Sequence, residues 1–115
     1  MTAGRDVAER LGPVGLWTRQ LDMQPTERVR AAVAELEGLG WGSLWTWEVL
    51  GREALTNAGL LLAASRRMVI GTGIASIWSR DPAAMANAQR TLAEAYPDRF
   101  VLGIGVSHGP LVDAR

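Results

Sequence analysis

Four short apolar runs, Val14 to Thr18, Ser43 to Trp47, Met68 to Ala75 and Phe100 to Val106, recur along the chain with helix-like segments between them. That alternation is its strongest constraint on a fold. Each run is continuous in apolar residues, the pattern of strands buried on both faces of a parallel sheet. Their starts lie roughly 30 residues apart, the size of a strand-helix-strand unit. Right-handed helical crossovers between parallel strands follow.

The three intervening segments carry their own boundary signals. Thr26 to Gly38 has Thr26 as a candidate N-cap, apolar positions at Val29, Ala32, Val33 and Leu36, and Gly38 and Gly40 as stop signals. Glu53 to Ser65 starts with an acid and is followed by Arg66 and Arg67, charges that suit the helix dipole. Its run Leu60 to Ala64 is apolar nearly all round, which predicts a helix with two buried faces. In the third, Asp81 is the expected N-cap and Pro82 the first helical residue. Met85, Ala88, Leu92 and Ala95 share a face before Pro97 stops the helix.

The chain has 115 residues, 48% of them hydrophobic, and no cysteine. A single domain over 1–115 with a real core is expected, without disulfides or a zinc-cysteine site. A closed barrel of eight strand-helix units needs about 250 residues, so four strands amount to half of one, or to most of a small open sheet. All 12 basic residues are Arg and are balanced by 12 acids. Their interleaving gives no footprint for nucleic acid. Met1 to Gly12, with Arg5, Asp6, Glu9 and Arg10, lacks the apolar stretch of a signal peptide, and no window approaches the roughly 20 apolar residues of a membrane span. A soluble, cytoplasmic protein is the expectation. The tail Gly109 to Arg115 reads as a strand-to-helix loop.

Candidate chemistry gathers after the runs. Gly71, Gly73 and Ser76 imitate a dinucleotide fingerprint, which would bind NAD. That fingerprint opens a helix directly, whereas Ile77 to Arg80 intervene here. The same glycines suit a bulge at a strand's C-terminal end, where a flat cofactor could lie against backbone. His108 follows the fourth run, where barrels keep active-site residues, and is otherwise a surface histidine. Glu48, past the second run, is a candidate general base or ligand-positioning carboxylate, or a surface partner of Arg52. Of the five tryptophans, Trp17, Trp45 or Trp47, and Trp78 fall at strand ends, whereas Trp41 precedes a strand. They would wall an aromatic pocket, or pack under loops.

The stretch from Gly71-Thr72-Gly73-Ile74-Ala75-Ser76 through Trp78-Ser79-Arg80-Asp81-Pro82, continued by Asp98-Arg99-Phe100-Val101-Leu102-Gly103-Ile104-Gly105-Val106, resembles the luciferase-like monooxygenase superfamily. Within it, the branch of oxidoreductases using the deazaflavin coenzyme F-420 is the most similar. Gly51 to Ala58 and the Ser107-His108 pair resemble that branch too. The likeness runs from about Leu11 to His108 and spans the N-terminal half of the family's (β/α)8 TIM barrel.

The resemblance implies an α/β fold of about four parallel strands and three helices, with a deazaflavin ring at the strands' C-terminal ends. A non-prolyl cis peptide at Gly73-Ile74 would back the ring. Thr72, Gly73, Ile74, Ala75 and Ser76 would support the cofactor, and Ser107 and His108 would approach the ring or its side chain. Thr18 and Glu48 would line the substrate side with Trp17, Trp47 and Trp78, Glu48 and His108 being the candidate catalytic pair. The reaction would be hydride transfer to or from a small organic substrate. FMN is the alternative cofactor, and a non-catalytic dimerising remnant of a truncated barrel is the alternative role. Homo-oligomers are expected through helices 53–65 and 82–96 or through open strand edges. Two departures from the family pattern stand out: Asp98 replaces a more usual Gly, and Trp45-Thr46-Trp47-Glu48 replaces a shorter hydrophobic residue and a Pro before the acid.

Overall fold

The structure, a computed structural model, describes residues 3–115, so residues 1 and 2 of the expected domain lie outside it. Strands and helices alternate in the predicted order. Strand β1 (Leu16–Trp17) is followed by α2 (Thr26–Gly38), β2 (Ser43–Thr46) and α3 (Ala54–Ala64). Next come β3 (Val69–Thr72), β4 (Ala75–Ser76), α4 (Pro82–Ala95), β5 (Phe100–Val101) and β6 (Ile104–Gly105). Helix α1 (Ala3–Leu11) precedes them, a 3-10 turn spans Gln20–Met23, and α5 (Gly109–Asp113) closes the chain.

The sheet is parallel throughout, in the order β1-β2-β3-β5, and β4 pairs with β6 in a second, two-stranded ladder. Each ladder continues the other. The third run is thus one strand interrupted at Gly73 and Ile74, and the fourth is one strand interrupted at Leu102 and Gly103. Gly71 faces Val101 before the break and Ala75 faces Ile104 after it. The third strand therefore carries one residue more than the fourth across the break, a one-residue bulge. The Gly73-Ile74 peptide is cis.

Register fixes the two faces. Leu16, Leu44, Ile70 and Phe100 stand in one row. They pack beneath Val29 and Val33 of α2, Leu55, Ala58, Leu61 and Leu62 of α3, and Met85 of α4. Trp17, Trp45, Gly71 and Val101 form the opposite row. There Trp45 lies across Gly71, and a β-carbon at Gly71 would collide with its ring. Burial on both faces holds along β3 and most of β2, whereas the outer strands β1, β5 and β6 are partly exposed.

Several boundaries differ from the sequence expectation. Pro25, not Thr26, is the N-cap of α2, and no side chain caps that end. Proline fixes an extended entry and Thr26 becomes the first helical residue. Asp81 caps α4 as expected, accepting from the Ala84 N–H at 2.8 Å. Glu53 proves to be the cap of α3, accepting from Leu55 and Thr56. Arg66 and Arg67 lie beyond α3, and their backbone N–H groups, with that of Met68, donate to the Glu37 carboxylate. They serve the α2 carboxylate, not the dipole of α3. Part of the segment read as a loop, 109–113, is a helical turn, and α1 packs against β3. Asp98 has φ +58, the left-handed conformation that explains why Gly is more usual there.

Candidate functional site

The C-terminal ends of the strands meet at one rim. The bulge there is stitched by a single hydroxyl: Thr72 Oγ1 donates to the Gly103 carbonyl at 2.8 Å and accepts from the Gly103 N–H at 2.9 Å. Thr72 is buried and its hydroxyl is fully engaged. Gly73 and Gly105 let neighbouring side chains pack directly on their backbone, Trp17 on the first and Ile74 on the second. A β-carbon at Gly105 would come within 2.7 Å of the Ile74 side chain, and one at Gly73 would lie 3.3 Å from Trp17.

Glu48 ties several parts of the rim together. Its Oε1 accepts from the Ser76 N–H at 2.9 Å and its Oε2 from the Ala54 N–H at 2.6 Å. Oε2 also pairs with the Arg80 guanidinium, which reaches on to Glu53 at 2.8 Å. Both side chains of the Glu48–Arg80 pair are nearly buried, at 7% and 10% exposure. One carboxylate thus joins the end of β2, the start of α3, β4 and the loop before α4. Its partner is Arg80, not Arg52. The Arg52 guanidinium donates to the Gln24 carbonyl at 2.6 Å, and its buried Nε has no partner among the described residues.

Burial alone would raise the Glu53 carboxyl, but Thr56, the Leu55 N–H and the Arg80 charge outweigh it and hold it below the usual range. Asp22 goes the other way. It lies in the 3-10 turn, 6% exposed, and burial raises its carboxyl despite the Trp47 indole, the Arg52 charge and Asn57.

Three indoles stand around the bulge. Trp17 donates its ring N–H to the Gly73 carbonyl at 2.9 Å, and Trp78 donates to the Val106 carbonyl at 2.8 Å. Trp47 meets Trp17 edge to face, centroids 5.6 Å apart, with the Arg19 guanidinium 5.2 Å from its ring centre. A cavity of about 560 Å³ opens beside the bulge. Ser76, Ser79 and Ser107, the 48–53 loop and Arg115 line it.

The expected residues therefore divide. Ser76 and Ser107 share the cavity, Gly73 and Ile74 form its neighbouring bulge, and Glu48 closes one wall. Ala75 is buried in the sheet core. Thr18 follows Trp17, and its N–H donates to the Trp45 carbonyl at 3.1 Å. Its hydroxyl accepts from the Gln20 N–H at 3.1 Å, and it lines a crevice with Leu16, Leu21 and Leu36, between β1 and α2. His108 is exposed, at the start of α5. Gly71 to Ser76 form strand, bulge and strand, and the next helix starts only at Pro82, so no helix N-terminus meets these glycines as a dinucleotide turn requires. Sequence reasoning missed Arg80 and Asp22. Arg80 had a signal in its place before the Asp81 cap; Asp22 had none, because its burial comes from the 3-10 turn. Among the described residues no cluster of His, Asp or Glu could hold a metal ion, and no helix is long and apolar enough to cross a membrane.

Parallel strands alternating with helices, bulged at their C-terminal ends beside a cavity, define a protein of the TIM-barrel class. The sequence matches the luciferase-like monooxygenase family over residues 10–115, and the chain belongs to that family. It is also 32% identical over 112 residues to a protein of Mycobacterium tuberculosis named for coenzyme F-420-dependent oxidoreductase function. That match covers 97% of this chain and 30% of the relative, so the chain spans under a third of the relative's length.

Proposed function

We propose that this chain carries the cofactor-facing part of an F-420-dependent oxidoreductase that moves a hydride between the deazaflavin and a small organic substrate. The observation that carries the reading is the one-residue bulge at the C-terminal end of the third strand, adjoining the cavity shared by Ser76 and Ser107. Relatedness to a protein named for F-420 dependence supports the choice of cofactor.

The residues present fit such a group. The cavity beside the bulge leaves room for a flat ring, its serines offer hydroxyls to the ring's polar edge, and the unpartnered Arg52 Nε offers a donor to an anionic tail. When bound, the deazaflavin supplies the hydride at its ring carbon. The protein's part is orientation and exclusion of water. Thr72 holds the bulge, while Trp17, Trp47 and Trp78 wall the substrate side. Glu48 acts as a positioning residue, since both carboxylate oxygens already hold Ser76, Ala54 and Arg80. Of Asp22, Glu48, Glu53 and His108, only the His108 side chain is without a hydrogen bond among the described residues. It is the rim group available for proton transfer. Self-association through α3, α4 or the open edges of β1 and β5 belongs to the same reading.

The test is equilibrium binding of F-420 to the 115-residue chain, followed by cofactor fluorescence with FMN competing. Saturable binding that prefers F-420 is expected. Preference for FMN would move the reading to a flavin monooxygenase. Binding of neither would leave a non-catalytic association module.

A further inference from the structure

The cavity beside the bulge has two unequal walls. One is the 48–53 loop, held at several points: Glu48 accepts from the Ser76 and Ala54 N–H groups and pairs with Arg80, and the Arg52 guanidinium donates to the Gln24 carbonyl. The other is the segment 107–115, which presents Ser107, Leu111, Val112, Ala114 and Arg115 to the cavity. It is held far more lightly. Its helix α5 buries no residue. The N–H groups of Leu111, Val112, Ala114 and Arg115 all donate to carbonyls within the segment itself. Among the described residues, the one hydrogen bond from the segment to the rest of the protein runs from the Arg115 guanidinium to the Ser79 hydroxyl, at 2.8 Å.

Both ends of the segment meet fixed structure. Before it, the Gly105 carbonyl accepts from the Ile77 N–H at 3.0 Å and the Val106 carbonyl from the Trp78 indole at 2.8 Å, so β6 is anchored. Immediately beyond, Ser107 stands at φ +58, the left-handed region in which a side chain is strained. A β-carbon at Gly109 would meet nothing within 4 Å, so the backbone turns there without obstruction. At the far end, Ser79 belongs to a loop tied down by Arg80, which donates to the Ser76 carbonyl at 3.0 Å and to the Glu53 carboxylate at 2.8 Å. A segment with a hinge, no buried residue in its helix and one distal bond opens locally far more readily than the sheet beneath it.

We propose that residues 107–115 form a strap that gates the cavity, turning about Ser107 and Gly109 and latched by Arg115 on Ser79. Resting on the oxidoreductase reading, the strap lifts to admit the ligand and closes to keep water from the hydride transfer. The cavity floor, where Ser76 is 3% exposed, is reached from solvent only while the strap is lifted.

The chain has no cysteine, so a single introduced thiol reports on opening. The experiment is reaction of Ser76→Cys with dithionitrobenzoate in the full 115-residue chain, with and without Arg115→Ala. Ala83→Cys, at an exposed position of α4, is the control. Removing the latch should speed labelling of Ser76→Cys about three- to tenfold, because labelling follows the population of the open form. Arg115→Lys, which keeps a donor for Ser79, should stay within about twofold of the parent, and Ala83→Cys should label at one rate throughout. Unchanged labelling of Ser76→Cys in Arg115→Ala, or an equal rise at Ala83→Cys, overturns the strap. If Ser76→Cys does not fold, hydrogen exchange on the unaltered chain decides. The Leu111 and Val112 amides should exchange at least about tenfold faster than those of Ala54 and Ser76, which Glu48 holds, and equal protection overturns the strap. Arg115→Ala alone should also speed F-420 dissociation about three- to tenfold, and an unchanged rate overturns the gating of that ligand. If labelling and exchange behave as expected while F-420 fails to bind, the strap stands and the cofactor reading falls.

Discussion

Glu37 shows how much a single carboxylate can hold. It is 7% exposed, and three consecutive N–H groups, of Arg66, Arg67 and Met68, donate to it from 2.8 to 2.9 Å, joining α2 to the start of β3. Burial alone would raise its carboxyl, but those N–H groups and the Arg67 charge prevail and hold it below the usual glutamate value of about 4.5. A folded value below the unfolded one means that its stabilisation is fully present above about pH 4.5 and is lost as pH falls through the lower folded value. Glu37→Ala should cost about 2–4 kcal/mol in urea denaturation at neutral pH, by orphaning those donors, with the difference from wild type shrinking in acid. An unchanged urea midpoint would contradict that role. Little of this was legible in sequence, because Glu37 sits among other charges of an amphipathic helix and its partners are backbone groups about 30 positions away. Arg99 is similar: it was legible as a motif, but its contacts with Leu62, Ser65 and Met68 come only from the fold.

At the scale of elements, the bulge matters most. The continuous run Met68 to Ala75 with its two glycines announced a strand disturbed at its C-terminal end, and the register of β3–β5 against β4–β6 gives that disturbance as one extra residue. Its closure depends on Gly103, where a β-carbon would strike the Thr72 carbonyl oxygen. Gly103→Ala should destabilise by about 1–3 kcal/mol through that overlap. Thr72→Val, equal in shape but unable to satisfy the Gly103 N–H, should cost about 1–3 kcal/mol. Thermal unfolding of both checks this, and wild-type stability in either would contradict it. Helices α2 and α4 were legible because periodicity, proline and glycine marked them. Helix α1 was not read, although Val7 and Leu11 stand four apart with Asp6 near the start and Arg10 near the end. Helix α5 is five residues long, too short for periodicity to register.

For the whole molecule, parallel pairing was legible from spacing alone, because crossovers of this length admit few topologies, whereas spacing left half a barrel and an open sheet both open. Which side chains fill the face opposite the helices was not, since Trp45 covers Gly71 only once register brings them together. Strands β1 and β5 each have a partner on one side only, and an apolar groove of about 750 Å³ runs along the β5 edge beside Met85, Phe100 and Ile104. Such edges favour pairing with another chain. Sedimentation equilibrium should therefore find a dimer or larger assembly at micromolar concentration, and a monomer would contradict it. Amide chemical-shift mapping on addition of F-420 tests the rim as the cofactor site most directly. The largest changes should fall on Gly73, Ile74, Ser76 and Ser107 and on the Trp17 indole N–H. Changes confined to the β5 edge around Met85 and Ile104, or none at all, would contradict it.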